Sequence, residues 1–125
     1  NGINVADSTV VVFGITFKEN CPDIRNSKVV DLIVELESWN LKVVVVDPWA
    51  DPREVYDEYG ITLTSTADLC NVDSVILAVA HSEFRETTPS EYRAYCSNNK
   101  PVMGDLKSVL SKENLLAQGF TVFRL

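Results

Sequence analysis

Apolar residues along this chain change their spacing repeatedly, from short continuous runs rich in Val and Ile to stripes at helical intervals. The runs at residues 9–13, 42–46, 61–63, 74–79, 101–103 and 121–123 are predicted strands, and the middle ones are apolar on both faces, as a covered parallel sheet requires. Between them, Val29, Leu32, Ile33 and Leu36 form a stripe along one helix face, with Asn26 or Ser27 as the candidate cap and Trp39 extending the stripe. Asp51, Pro52 and Glu54 start a second helix that Gly60 can end. Thr88, Pro89 and Glu91 repeat the device, and Ser111 opens a last helix through Leu115 and Leu116 to Gly119.

Alternating strands and helices predict an α/β fold, a three-layer Rossmann-like parallel sheet. Right-handed crossovers favour the order 3-2-1-4-5-6, with the strands counted along the chain and a switch point between strands 1 and 4. Ligands are expected at the carboxyl edge there. No repeat, linker or low-complexity stretch divides the chain, so residues 1–125 read as a single domain.

The first strand ends in Gly14 and the second in Asp47, which raises the question of a dinucleotide. The turn lacks G-x-G-x-x-G, because no glycine follows Gly14 in the next dozen residues, and Asp47-Pro48 reads as a turn and not as a ribose clamp. The segment from Gly14 to Asn26 is long for a strand-to-helix connection, and such loops usually carry function. It holds Phe17, Lys18 and Arg25, and the sheet order sets it beside His81 after strand 4 and Asp105 and Lys107 after strand 5. Lys18, Arg25 and Lys107 either gather there as a phosphate-attracting edge or are ordinary solvated charges. His81, the sole histidine, reads as a loop-fixing hydrogen-bonder more than as a general base, since no carboxylate or nucleophile adjoins it in the sequence.

Composition narrows the classes. The 125 residues are 46% hydrophobic and 23% charged with a net charge of −7, which suits a globular domain and disfavours nucleic acid. No apolar run approaches the roughly 20 residues of a membrane span, and residues 1–7 lack the pattern of a signal peptide. Three cysteines without a Cys-x-x-Cys pair, beside one histidine, argue against a disulfide framework or a metal site and for a reducing, cytoplasmic setting. Cys21 reads as a partly buried loop cysteine, and Trp49 as a turn residue. The competing class is a free-standing regulatory or interaction domain, such as a phospho-acceptor receiver. It fits poorly, because Phe13-Gly14 stands where an acidic metal-binding pair is needed.

The run GITFKENCPDIRNS at residues 14–27, with Asp47-Pro48, AHSEF at residues 80–84 and DLK at residues 105–107, resembles the UDP-binding C-terminal domain of the UDP-glucose/GDP-mannose dehydrogenase family. Its wording is most similar to the bacterial branch that oxidises UDP-N-acetylhexosamines for surface polysaccharides. The resemblance implies that Phe17 and Lys18 contact a UDP-sugar, that Arg25 reaches toward NAD held by another domain, and that Lys107 replaces an arginine against the substrate. His81 and Asp105 would line the site. It implies an NAD-dependent UDP-sugar 6-dehydrogenase that takes a sugar C6 alcohol to a carboxylate through a thiohemiacetal and a thioester. The cysteine nucleophile, the NAD site and the dimerisation helix would belong to N-terminal and central domains outside these residues. The chain itself would contribute no catalytic residue and would be inactive alone, and the whole enzyme would be a homo-oligomer.

Overall fold

Val and Ile dominate the segments that pair, because branched side chains suit a pleated surface packed on both sides. The structure, a computed structural model, describes residues 8–97 and 99–123. Residues 1–7, on which the signal-peptide expectation rests, fall outside that range. In chain order the elements are β1 (Thr9–Phe13), α1 (Val29–Ser38), β2 (Lys42–Val46), α2 (Pro52–Tyr59), β3 (Ser74–Leu77), α3 (Ser82–Glu86), α4 (Pro89–Ala94), β4 (Val102–Asp105), α5 (Lys112–Ala117) and β5 (Thr121–Phe123). The five strands form one parallel sheet in the order β2-β1-β3-β4-β5.

Register places Val11 between Val44 of β2 and Val75 of β3, so β1 is flanked on both sides. Alternate residues of β1 then feed two separate cores. Val11 and Phe13 pack with Phe84, Tyr92 and Leu115 from α3, α4 and α5. Val10 and Val12 pack with Ile33, Leu36 and Val55 from α1 and α2. The sheet is thus covered on both faces, as the unbroken apolar runs require. Phe13 anchors the first core through edge-on contacts with the rings of Phe84 at 5.1 Å and Tyr92 at 5.3 Å.

Several expectations are corrected. Residues 61–63 do not form a strand: Leu63 makes a single parallel bridge to Val45, so the third position of the expected order is one residue wide. The chain leaves β3 at Leu77, because the Ala78 and Val79 amides both turn onto the Phe13 carbonyl. Neither Asn26 nor Ser27 caps α1. Asn26 is left-handed (φ 56°), which turns Ser27 inward, and the N-cap is Lys28 without a side-chain bond. Trp39 does not extend the stripe; it closes α1 and is 55% exposed. The proline-marked starts fare better. Asp51 accepts from the Arg53 amide, Thr88 and Glu91 complete a reciprocal capping box, Ser111 accepts from the Asn114 amide, and Gly60 ends α2 at φ 69°. Among the described residues no helix is long and apolar enough to cross a membrane.

Gly14 sits where β1 ends, at φ 100°, and a Cβ built there would lie 2.5 Å from the Val79 Cβ and 2.9 Å from the Val79 nitrogen. Its amide donates to the Val46 carbonyl at 2.8 Å. The glycine therefore serves the passage of two chain segments past each other at the switch point. Replacing Gly14 with Ala is expected to destabilise the protein by at least about 2 kcal/mol, through both backbone strain and overlap, in urea unfolding. A loss below about 0.5 kcal/mol would contradict this packing.

Candidate functional site

The carboxyl edge of the sheet is organised around one buried carboxylate. Asp47 follows β2 directly, and its Oδ2 accepts the amides of Ile15 at 2.7 Å and Thr16 at 3.1 Å, the first residues after the β1 glycine. Its Oδ1 accepts the amides of Trp49 at 2.8 Å and Ala50 at 3.1 Å. Asp47 therefore holds its own turn and the start of the β1–α1 loop together, consistent with the turn reading. Burial alone would push its carboxyl up, but the His81 hydrogen bond and the Ile15 and Trp49 amides outweigh that and hold it below the usual value.

His81 is fully buried and lies between this carboxylate and the loop. The Asn20 amide donates to its Nδ1 at 2.8 Å, and a backbone N–H can only donate, so the ring proton sits on Nε2. From there Nε2 donates to Asp47 Oδ2 at 3.0 Å and to Thr16 Oγ1 at 3.1 Å, and the Thr16 hydroxyl donates in turn to the Lys18 carbonyl at 3.0 Å. The expectation that no carboxylate adjoins His81 is therefore corrected. The ends of β2 and β3 lie on either side of β1, which brings Asp47 and His81 together from 34 residues apart. Trp49 stacks on the imidazole at a centroid distance of 5.9 Å and donates from its indole to Glu83 at 2.8 Å.

The loop is thus pinned at three places. Asp47 holds residues 15 and 16, and Asn20 is tied to His81 and, through its Oδ1, to the Ser82 amide at 2.8 Å and hydroxyl at 3.0 Å. Ile24 is buried, and its carbonyl accepts the Tyr59 hydroxyl. Between the pins, Phe17 is 60% exposed and Lys18 and Glu19 are exposed as well. Cys21 is half-buried, with a free thiol.

The other nominated residues fall at different depths. Arg25 is exposed, and its Nε and Nη2 both reach Asp23 at 3.0 Å, a paired bond that lowers the Asp23 pKa to about 2. Lys107 is exposed on the turn after β4. Asp105 is fully buried, and its Oδ2 accepts the Leu110 amide at 2.8 Å, which fastens that turn. Lys18 and Lys107 stand on the connections after β1 and β4, the strands on either side of β3, and Arg25 follows Ile24, whose carbonyl is tied to Tyr59 of α2. A cavity of about 580 Å³ opens beside the end of β2, lined by Phe13, Val46, Thr64, Glu83, Phe84 and Glu91 among others and by none of Lys18, Arg25 and Lys107. Its carboxylates disfavour a phosphate there.

A dinucleotide does not fit this crevice. Gly14 is filled in by Val79, and both Asp47 oxygens are engaged by amides and the imidazole, so the acid that follows β2 is not free for a ribose. Sequence reasoning missed the roles of Thr16, Asn20 and Ser82. The usable signal was a strand-ending acid and a lone histidine that the sheet order makes neighbours.

Asp47→Asn keeps the shape but removes the charge and one acceptor, leaving buried amides opposed by an NH₂. The expected cost is about 2–4 kcal/mol at neutral pH. A depressed carboxylate contributes fully above its unfolded pKa, about 3.9, and loses that contribution as pH falls through the folded value. The unsubstituted protein should therefore lose stability below about pH 4 more steeply than the variant, as read from urea midpoints across pH. Parallel profiles would count against Asp47 as the hub.

Residues 11–112 match the model of the UDP-glucose/GDP-mannose dehydrogenase family, UDP binding domain. The chain is 44% identical to a UDP-N-acetyl-D-glucosamine 6-dehydrogenase of Salmonella typhi, over 90% of this chain and 26% of that protein. It is 43% identical to a protein of the same description from Pseudomonas aeruginosa, over 89% of this chain and 26% of that one. It spans about a quarter of the length of these relatives. The crystal structure of an NDP-N-acetyl-D-galactosaminuronic acid dehydrogenase from Methanosarcina mazei Go1 superposes with a TM-score of 0.87 at 20% identity, covering 98% of this chain and 25% of that one, and supports the fold. With most of its length inside the family match and its sheet shared with that structure, the chain belongs to the UDP-glucose/GDP-mannose dehydrogenase family, as its UDP-binding domain.

Proposed function

We propose that this chain is the sugar-nucleotide-binding domain of an NAD-dependent UDP-sugar 6-dehydrogenase, which oxidises a sugar C6 alcohol to the carboxylate for surface polysaccharide synthesis. The observation that carries the reading is the family match across residues 11–112. The loop geometry supports it: residues 15, 16, 20 and 24 are anchored while Phe17 and Lys18 face outward. A rigid loop that presents an aromatic face and an ammonium group suits a nucleotide diphosphate, because little order is lost on binding. The relatives at 44% and 43% identity favour a UDP-N-acetylhexosamine as the substrate.

In this reading Lys18 neutralises phosphate charge, Phe17 packs against the sugar nucleotide, and Lys107 approaches the same ligand from the β4 turn. His81 and Asp105 act from beneath, by fixing the loops. NAD belongs to an N-terminal domain, since this crevice does not accept it, and Arg25 points toward it once it exchanges Asp23 for the cofactor. The exposed Arg25–Asp23 pair opposes that exchange only weakly. The partners are the N-terminal and central domains of the same protein, in a cytoplasmic homo-oligomer.

Calorimetric titration of the full-length protein should show binding of UDP and of UDP-N-acetylhexosamines, and absence of both would overturn the reading. Lys18→Ala should weaken that binding by about 1.5–3 kcal/mol, the range for a hydrogen bond to a charged group. Lys42→Ala, at the amino edge of β2, should leave it unchanged, and equal losses would mean that no localised phosphate site exists. Arg25→Ala should raise the KM for NAD more than that for the sugar nucleotide. The reverse pattern would make Arg25 a substrate ligand.

A further inference from the structure

We infer that Asn20 is the positioning residue of the substrate loop: it touches no ligand itself, but it holds the Phe17–Lys18 segment in its binding geometry through His81 and Ser82. This rests on the function proposed above. The two sides of Asn20 grip two consecutive residues where the β3–α3 turn enters α3, its amide on His81 Nδ1 and its Oδ1 on the Ser82 amide and hydroxyl. His81 is the N-cap of α3 yet makes no side-chain cap bond, so Asn20 supplies from a distant loop the acceptor that the first amide of α3 lacks.

The grip sets the loop's path because Asn20 is left-handed, at φ 54°. Asn reaches this conformation more readily than most residues that carry a Cβ, and here three hydrogen bonds fix it. Lys18 lies two residues upstream, and its carbonyl is held by the Thr16 hydroxyl, which in turn receives the Nε2 proton of the same imidazole. The ring therefore supports the exposed pair from both ends. Releasing Asn20 frees the downstream end of the segment at Lys18 and Glu19, while the Phe17 amide stays on the Asp23 carbonyl at 2.6 Å.

Three substitutions in the full-length protein separate this role from general stability. Asn20→Gly keeps access to positive φ and keeps the amide for His81, but removes both side-chain bonds. Two lost hydrogen bonds predict a rise of about tenfold in the KM and Kd for UDP-N-acetylglucosamine, with the KM for NAD changed by less than about twofold. Asn20→Asp retains an acceptor for both Ser82 groups and should bind UDP-N-acetylglucosamine more tightly than Asn20→Gly at high salt, where its added charge two residues from Lys18 is screened. Ser82→Ala removes one of the two bonds without touching the loop backbone and should produce a smaller shift of the same kind, which serves if Asn20→Gly fails to fold. Folded glycine and alanine variants with unchanged sugar-nucleotide constants would overturn the inference. So would an aspartate variant as weak as the glycine one at high salt, or equal losses for both substrates. Failure of the unsubstituted protein to bind any UDP-sugar would instead overturn the functional reading, and this inference with it.

Discussion

A buried carboxylate is tolerable only when its lone pairs are filled, and Asp47 fills them with four backbone amides and an imidazole N–H. These bonds tie the turn after β2 to the loop after β1 and, through His81, to the turn after β3. Three connections that leave adjacent strands thus become one rigid body on the carboxyl edge. The same saturation gives the domain its character, since an acid engaged in this way cannot clasp a ribose. A Rossmann-like sheet has here become a holder for a loop.

Much of the architecture was legible because it rests on local rules. Branched runs apolar on both faces implied a covered parallel sheet, and Asp51-Pro52, Thr88-Pro89 and Ser111 marked helix starts through capping chemistry that needs no tertiary partner. Where tertiary contacts decide, the pattern misled. Residues 61–63 have the composition of a strand but only Val45 to pair with at the sheet margin. Asn26 and Ser27 have capping side chains, but a left-handed turn directs them elsewhere. α3 is five residues long, too short for a periodic signal, and draws an acceptor from Asn20, 62 positions away in sequence.

The site divides along the same line. The chain segment that carries Phe17, Lys18 and Arg25 could be singled out by its length and by its wording. The depth of each residue could not be, because exposure depends on which strand ends meet. His81 and Asp105 are fully buried beneath the edge, while Lys18 and Lys107 stand on it. The pairing of His81 with Asp47 spans 34 residues and exists only once β1 lies between β2 and β3.

Trp49 gives this arrangement an optical handle. Its indole lies nearly parallel to the His81 ring and is hydrogen-bonded to Glu83, so it shares the imidazole that seats the loop. The other tryptophan, Trp39, closes α1 at 55% exposure and lies outside this network. Emission from the two should therefore separate into a solvent-like background and a component set by the imidazole's contacts. Unseating of the loop would then appear in the steady-state spectrum of these 125 residues without a label, with no ligand, cofactor or turnover needed to see it.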